Sequence, residues 1–202
     1  MMRFWSALLL AMALLSVPAL AGSWPVPNAA YDGTRVIKSG DVQMSGRIFH
    51  DHGKERWEMN MEGMTQVMIM RPDLEKMFML MPQMNMAMEM PLNDGGNIPT
   101  PDRYTETVPE ITGQEVIAGE GTTKYKVEGN EGAGPYTVYF WITDDGITMR
   151  TQALTAEGSF EMHLEGLQRG VQSAELFELP AGVQVMPANP AMMNQTMPGQ
   201  GP

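Results

Sequence analysis

The chain has 202 residues, a formal net charge of −11 and no cysteine, which excludes disulfides, thiolate nucleophiles and cysteine metal sites. The acidic charge disfavours nucleic acid and anionic lipid headgroups as partners, because a negative field repels phosphate. The length fits one domain with a sizeable hydrophobic core.

The first 21 residues show the three-part pattern of a secretory signal peptide. Arg3 supplies a positive charge, residues 4–17 are almost wholly apolar, and Ala19 and Ala21 place small residues where a signal peptidase reads the chain. The apolar run is shorter than the roughly 20 residues of a membrane-spanning helix, so a retained anchor is the weaker alternative. We therefore expect cleavage near Ala21, a periplasmic or secreted location, and no transmembrane segment in the mature chain.

Alternation of apolar and polar residues dominates the rest of the chain and predicts β-strands with one buried face. It is clearest at residues 56–62 and 160–165, and it recurs at 76–81 and 84–90. Turn sequences such as Asp51-His52-Gly53 separate these runs. About eleven strands are predicted between Thr34 and Gly170, joined in order as antiparallel hairpins.

Helical signal is weak, and the one candidate covers residues 173–177, with Ser173 as its cap. Residues 92–101 contain paired glycines and two prolines and predict a long loop. Residues 187–202 mix Pro, Asn, Gln, Gly and Met without a charged side chain, which predicts a disordered tail. The expected organisation is a signal peptide at 1–21, one β domain at 22–186 and a tail at 187–202.

The number of predicted strands bears on the shape of the sheet. A flat sheet of about eleven strands would leave long exposed edges. Curvature would reduce that exposure and enclose one face. We therefore predict a mainly β fold in which a single curved antiparallel sheet forms an incomplete half-barrel with little helix.

Methionine is the outstanding feature of the composition. Twelve of the 22 methionines fall between Met59 and Met90, and most recur at every second residue. Methionine fills irregular apolar space without fixing its shape, so a methionine-lined concavity can accept varied apolar ligands. A filled core without a ligand is the alternative. The predicted ligand-binding residues are Trp57, Met59, Met61, Met77, Met79, Met81, Met86 and Met88.

Metal or oxidant handling is a further alternative, because thioether sulfur is a soft ligand that suits Cu(I). His50 and His52 could add imidazole ligands, and Met59, Met61, Met86 and Met88 are the thioethers considered. Strand alternation explains the methionine spacing by itself, however, and the His-Asp-His-Gly sequence lies where a turn is required. We therefore predict no metal site and no cofactor.

The sequence contains no recognisable catalytic constellation. Its three histidines are His50, His52 and His163, and His163 lies between two glutamates on the polar side of a predicted strand. A nucleophile elbow, a phosphate-binding glycine loop and a zinc-protease helix are all missing from the sequence. We therefore predict a protein that is not an enzyme.

Several short motifs resemble a known family. They include residues 57–65, 69–73, 79–82, 88–91, 141–146 and 176–182. Together they resemble a bacterial family of exported, methionine-rich domains of unknown function that is similar in fold to the outer-membrane lipoprotein carrier and lipoprotein-sorting proteins. The resemblance covers about Tyr31 to Met186. It implies a curved antiparallel sheet whose apolar face can hold acyl chains.

The N-terminal segment of this chain differs from that of the lipoprotein carriers. The lipoprotein carriers have a longer N-terminal helix, whereas Pro25 and Pro27 prevent a long helix here. The expected partner is accordingly an apolar or amphipathic small molecule, or the acyl chain of a lipoprotein. The oligomeric state does not follow from the sequence.

Overall fold

The computed structural model describes residues 24–25, 28–61, 63–92, 98–131, 134–156 and 158–187. The predicted signal peptide and all of the predicted tail except Pro187 lie outside the described residues. The described strands are β1 (Tyr31–Ser39), β2 (Val42–Asp51), β3 (Lys54–Met61), β4 (Met64–Arg71), β5 (Lys76–Met81), β6 (Met86–Pro91), β7 (Glu110–Ile117), β8 (Glu120–Glu131), β9 (Gly134–Ile142), β10 (Thr148–Thr155), β11 (Gly158–Arg169) and β12 (Gln184–Pro187).

All twelve strands belong to one sheet, in the order β12-β6-β5-β4-β3-β2-β1-β11-β10-β9-β8-β7. Neighbours in the chain pair as antiparallel hairpins within β1–β6 and within β7–β11, and β1 joins these two halves by pairing with β11. The exception is β12, which lies parallel to β6. Eleven of the strands lie in the region where about eleven were predicted.

The prediction of a single, mainly antiparallel sheet with little helix is confirmed. The strong curvature that we associated with it is not observed, because the sheet is neither closed nor strongly curled. The outermost strands protect their edges in other ways: β7 exposes charged and polar side chains such as Glu110 and Gln114, and β12 has only four residues. Both are known means of protecting a sheet edge without closing the sheet.

The two faces of the sheet are named here after one buried residue on each. The Trp57 face carries the main core, because Ile37, Ile48 and Met149 are buried there with Trp57. Near β8 and β9 the ring of Trp24 packs edge-on against Phe140, with ring centroids 5.4 Å apart. The segment before β1 and the 3-10 turn Pro101–Tyr104 therefore contribute to the core on this face.

The Phe78 face changes character along the sheet. Next to β4–β6 it holds an apolar cluster that includes Val67, Ile69 and Phe78, and Phe177 from the chain that follows β11 packs on this cluster. Charged side chains such as Arg56 and Glu89 lie beside it on the same face. Next to β8–β10 it is polar, and Trp141 is covered there by the cationic ends of Lys124 and Arg150, each 4.7 Å from its ring centroid. Covering an indole with cations keeps the ring out of water without a second apolar layer.

The segment that follows β11 forms a strap, which we define as residues 174–187. It begins with a 3-10 turn, Ala174–Phe177, where the sequence predicted a weak helix, and ends as β12. Phe177 packs into the apolar cluster of Val67, Ile69 and Phe78. Pro187, predicted to begin the tail, is the last residue of β12.

Two local features show which residues the backbone requires at particular positions. His52 and Gly53, from the predicted turn sequence Asp51-His52-Gly53, both have positive φ, 49° and 79°, as a two-residue hairpin turn requires. Gly129 lies within β8, and Tyr136 lies opposite it on β9. Gly129 lies under the ring of Tyr136, where a Cβ would be 2.3 Å from Cζ, so this glycine serves strand packing.

Candidate functional site

The methionine-rich strands β3–β6 align their methionines into rows that cross the sheet. In one row, Trp57 lies opposite Met68, Met68 opposite Met79, and Met79 opposite Met88. Residues directly opposite each other in a sheet project from the same face. The row continues onto the strap, because Met186 of β12 pairs with Met88.

The register places eleven methionines and one tryptophan on the Trp57 face, and we call this set the methionine surface. Its members are Trp57, Met59, Met61, Met64, Met68, Met70, Met77, Met79, Met81, Met86, Met88 and Met90. Gln66 lies among them and donates an N–H to the sulfur of Met79 at 3.7 Å. On β4–β6 this face carries no charged side chain.

The methionine surface is graded in exposure. Met59, Met77 and Met90 are buried, whereas Met61 and Met64 at the β3–β4 hairpin are 43% and 60% exposed. The other six methionines are half-buried. A contiguous apolar area of this kind is a feature that marks interaction sites on soluble proteins.

All eight predicted ligand-binding residues lie on this surface. Met64, Met68, Met70 and Met90 also lie on it but were not among the predicted residues. On β4 both faces are apolar, since Val67 and Ile69 alternate with the methionines. Alternation alone therefore could not show which of the two faces of β4 joins the other methionines. Met90 continues the alternation of β6 and could have been included.

The shape of the site differs from the predicted enclosed concavity, because the sheet is not strongly curled. Two depressions lined by described residues lie elsewhere. One, of about 530 Å³, lies between Arg56 and the strap, and the other, of about 330 Å³, lies between β7 and β8. The methionine surface is thus an open area, and its flexible side chains can change its shape.

A cluster of polar side chains borders the methionine surface at β1–β3. Arg35 donates two hydrogen bonds to the carboxylate of Glu55, at 2.6 and 2.8 Å, and its Cζ lies 5.7 Å from the Trp57 ring centroid. Tyr31 stacks on His50, with centroids 5.0 Å apart. We call Tyr31, Arg35, His50 and Glu55 the polar cluster. His50, which we had assigned to a turn, is a buried residue of β2.

The ionisation of the polar cluster follows from its burial. Burial alone would lower the pKa of Arg35, but the charge and hydrogen bonds of Glu55 outweigh it, and the pKa is raised. Burial, and then the charge of Glu55, raise the pKa of the Tyr31 hydroxyl well above its usual range, although Arg35 opposes this. At neutral pH the cluster therefore holds a mutually neutralising ion pair beside a protonated hydroxyl.

The placement of the sulfurs bears on the copper alternative. Met59 and Met61 lie on β3, and Met86 and Met88 lie on β6, three strands away. At about 4.8 Å per strand the two pairs are about 14 Å apart, too far to share one ion. Within the described part of the chain, no group of three or more His, Asp or Glu side chains is placed to hold a metal.

The two other histidines, His52 and His163, each lie beside a carboxylate. The side chain of His52 is largely exposed and contacts the carboxylate of Asp51, and His163 lies 3.3 Å from Glu161.

None of the helices among the described residues has the length and apolar character to cross a membrane.

Comparisons with solved structures found the same type of fold in other proteins. An uncharacterised conserved protein from Thermus thermophilus matches with a TM-score of 0.55 and 12% identity, over 80% of this chain and 91% of that one. The Pseudomonas aeruginosa MucA/MucB complex matches with a TM-score of 0.53 and 16% identity, over 79% of this chain but only 59% of that one. At these identities the likeness concerns the fold alone.

A putative outer-membrane lipoprotein-sorting protein domain from Vibrio parahaemolyticus also matches, with a TM-score of 0.31 and 9% identity, over 73% of this chain and 89% of that one. No curated protein matches the chain. The model of a domain of unknown function, DUF4412, matches residues 35–151, which is more than half of the chain. The family resemblance drawn from the sequence motifs is thus confirmed, and the chain belongs to the DUF4412 family.

Proposed function

We propose that the mature chain is a non-enzymatic binding or carrier domain of the periplasm or cell exterior, and that it holds an apolar or acyl-chain ligand on the methionine surface. The observation that carries this proposal is the cross-strand row from Trp57 through Met68 and Met79 to Met88. The row places thioethers from three strands beside an indole on one face.

The energetics support an acyl chain as the ligand. Each methylene that leaves water contributes about 0.8 kcal/mol, so a chain lying along the rows gains affinity with its length. Methionine side chains are unbranched and adapt to the outline of a ligand, which suits an open surface better than a rigid pocket would. The ligand would be a free amphipathic molecule or the acyl chain of a lipoprotein.

The test is a pair of matched variants titrated with a fluorescent fatty-acid analogue. Met79→Glu puts a charge at the centre of the methionine surface, where it should weaken binding at least about tenfold, because an unpaired charge resists contact with an acyl chain. Met84→Glu is the same chemical change at a 57% exposed turn residue outside the surface, and it should bind like the native protein.

Thermal melting of both variants must accompany the titration, so that loss of binding is separated from loss of folding. Equal binding by the two variants, or no binding by the native protein, would contradict the proposal. Native mass spectrometry of protein purified from its own cell envelope adds an independent outcome: bound lipid supports a carrier, whereas bound copper supports the metal alternative.

A further inference from the structure

We propose that the polar cluster is the head-group subsite for the ligand of the methionine surface, and that it selects an amphiphile with an uncharged, hydrogen-bonding head, such as an ester or amide, over a free fatty acid. This inference rests on the proposed function, since it names the chemical class of the ligand held there.

The register makes the two regions continuous. Tyr31 lies opposite His50, and His50 opposite Glu55. The same row then passes from Glu55 to Met70, from Met70 to Met77 and from Met77 to Met90. Met77 and Met90 are buried, so a ligand would lie along the adjacent row of half-buried Met68, Met79 and Met88, which ends at Trp57 beside Arg35. It would meet the polar cluster at β1–β3 and only thioethers at β4–β6. The sheet therefore presents a head end and a tail end in one line.

The charge balance of the cluster argues against an anionic head. Both terminal nitrogens of Arg35 already donate to Glu55, and the two side chains are only 11% and 12% exposed. A carboxylate placed there would meet a cation that is already neutralised and an anion that repels it. Desolvating that carboxylate without a partner would be unfavourable.

Two hydrogen-bond donors favour a neutral acceptor. The indole Nε1 of Trp57 is buried and has no hydrogen-bond partner within the described part of the chain. The Tyr31 hydroxyl stays protonated at neutral pH because burial and Glu55 raise its pKa. A carbonyl oxygen accepts hydrogen bonds from such donors without bringing a charge. A buried donor without a partner is unfavourable, so a ligand that supplies one gains affinity.

The experiment compares two amphiphiles of equal chain length, 1-monododecanoylglycerol and dodecanoate, below the concentrations at which they aggregate. At about pH 8 the native protein should bind the glycerol ester at least about tenfold more tightly. Lowering the pH protonates dodecanoate and should strengthen its binding, while binding of the ester stays nearly constant. This pH series needs no variant.

Glu55→Gln leaves the charge of Arg35 without its partner, so the ratio of the two affinities should move toward dodecanoate by at least about tenfold. Asp32→Asn is the matched control, because it removes one carboxylate from the exposed Arg47–Asp32 pair on the Phe78 face. It should leave the ratio unchanged.

The outcomes separate the two proposals. If neither amphiphile binds the native protein, the carrier function fails and the head-group subsite fails with it. If both bind equally at pH 8, or if Glu55→Gln folds but leaves the ratio unchanged, the carrier function stands and the head-group subsite is wrong.

Discussion

Met77 and Met79 lie two residues apart on β5 and project from the same face, yet Met77 is 2% exposed and Met79 is half-buried. Their neighbours differ: Met79 lies between two other half-buried methionines, Met68 and Met88. The methionine surface thus contains both packed positions and accessible ones. The same substitution should therefore affect the stability of the fold differently at the two sites.

Replacing either residue with Trp tests this difference. Met77→Trp adds volume to a packed position and should destabilise the fold by about 1–3 kcal/mol. Met79→Trp should be tolerated, because its side chain can extend toward solvent, but it should reduce binding of a hydrophobic dye. Met79→Leu conserves volume and should cost less than about 1.5 kcal/mol.

Chemical denaturation gives the two stabilities, and a dye titration gives the binding. Equal destabilisation by the two Trp substitutions would mean that Met79 belongs to a filled core. The methionine surface would then be structural, which is the alternative considered from the sequence.

At the scale of the element, the strap shows how a short segment is held on the sheet. Arg71 donates to the carbonyl oxygen of Phe177 at 3.2 Å and to the carboxylate of Glu178 at 2.7 Å. Arg56 donates to the carbonyl oxygen of Leu176 at 3.0 Å. These bonds satisfy backbone carbonyls that no strand partner reaches, while the Phe177 ring supplies apolar burial.

Phe177→Ala should destabilise the protein by about 3–5 kcal/mol, because it removes a large buried side chain and leaves a cavity against Ile69 and Phe78. Val185→Ala in β12 is the control, since Val185 is 46% exposed and the change should stay within about 0.5 kcal/mol. Urea unfolding measures both. A small effect of Phe177→Ala would mean that the strap adds little to the stability of the sheet.

At the scale of the whole molecule, one arginine connects three separate parts of the chain. Arg169, near the end of β11, donates to Asp145 at 2.6 Å in the β9–β10 turn and to Glu120 of β8 at 2.9 and 3.0 Å. The hydrogen bond from Arg169, aided by Thr143, holds the pKa of Asp145 below its usual range, although burial opposes this.

This network predicts part of the acid sensitivity of the fold. A carboxylate whose pKa is lowered by folding stabilises the protein above its unfolded-state pKa, about 3.9, and loses that contribution as the pH falls through the folded-state pKa. Asp145→Asn should therefore lower stability at pH 7 and make the loss of stability below about pH 4 shallower.

The measurement is denaturant unfolding at several pH values between neutral and about pH 3, the range over which carboxylates titrate. Asp144→Asn makes the same change one residue earlier, outside the Arg169 network, and serves as the control. If stability falls equally steeply below about pH 4 in the native and Asp145→Asn proteins, Asp145 does not contribute to the acid sensitivity.

The sequence predicted the strands well because their signal is local. A period of two is set by the backbone of each strand alone, so β1–β11 could be recognised without knowing their partners. The same holds for the turn at His52 and Gly53, whose positive φ angles depend on the two residues themselves. The eight predicted site residues shared this local signal, which is why all of them lie on the methionine surface.

The tertiary structure decided what depends on pairing between distant residues. Register placed Met68 and Met70 on the methionine surface and Val67 under the strap, although the β4 sequence is apolar on both faces. The low curvature, the parallel pairing of β12 and the contact between Arg35 and Glu55 likewise involve residues far apart in the chain. Alternation along a strand reports which residues share a side, but only the neighbouring strands determine what that side faces.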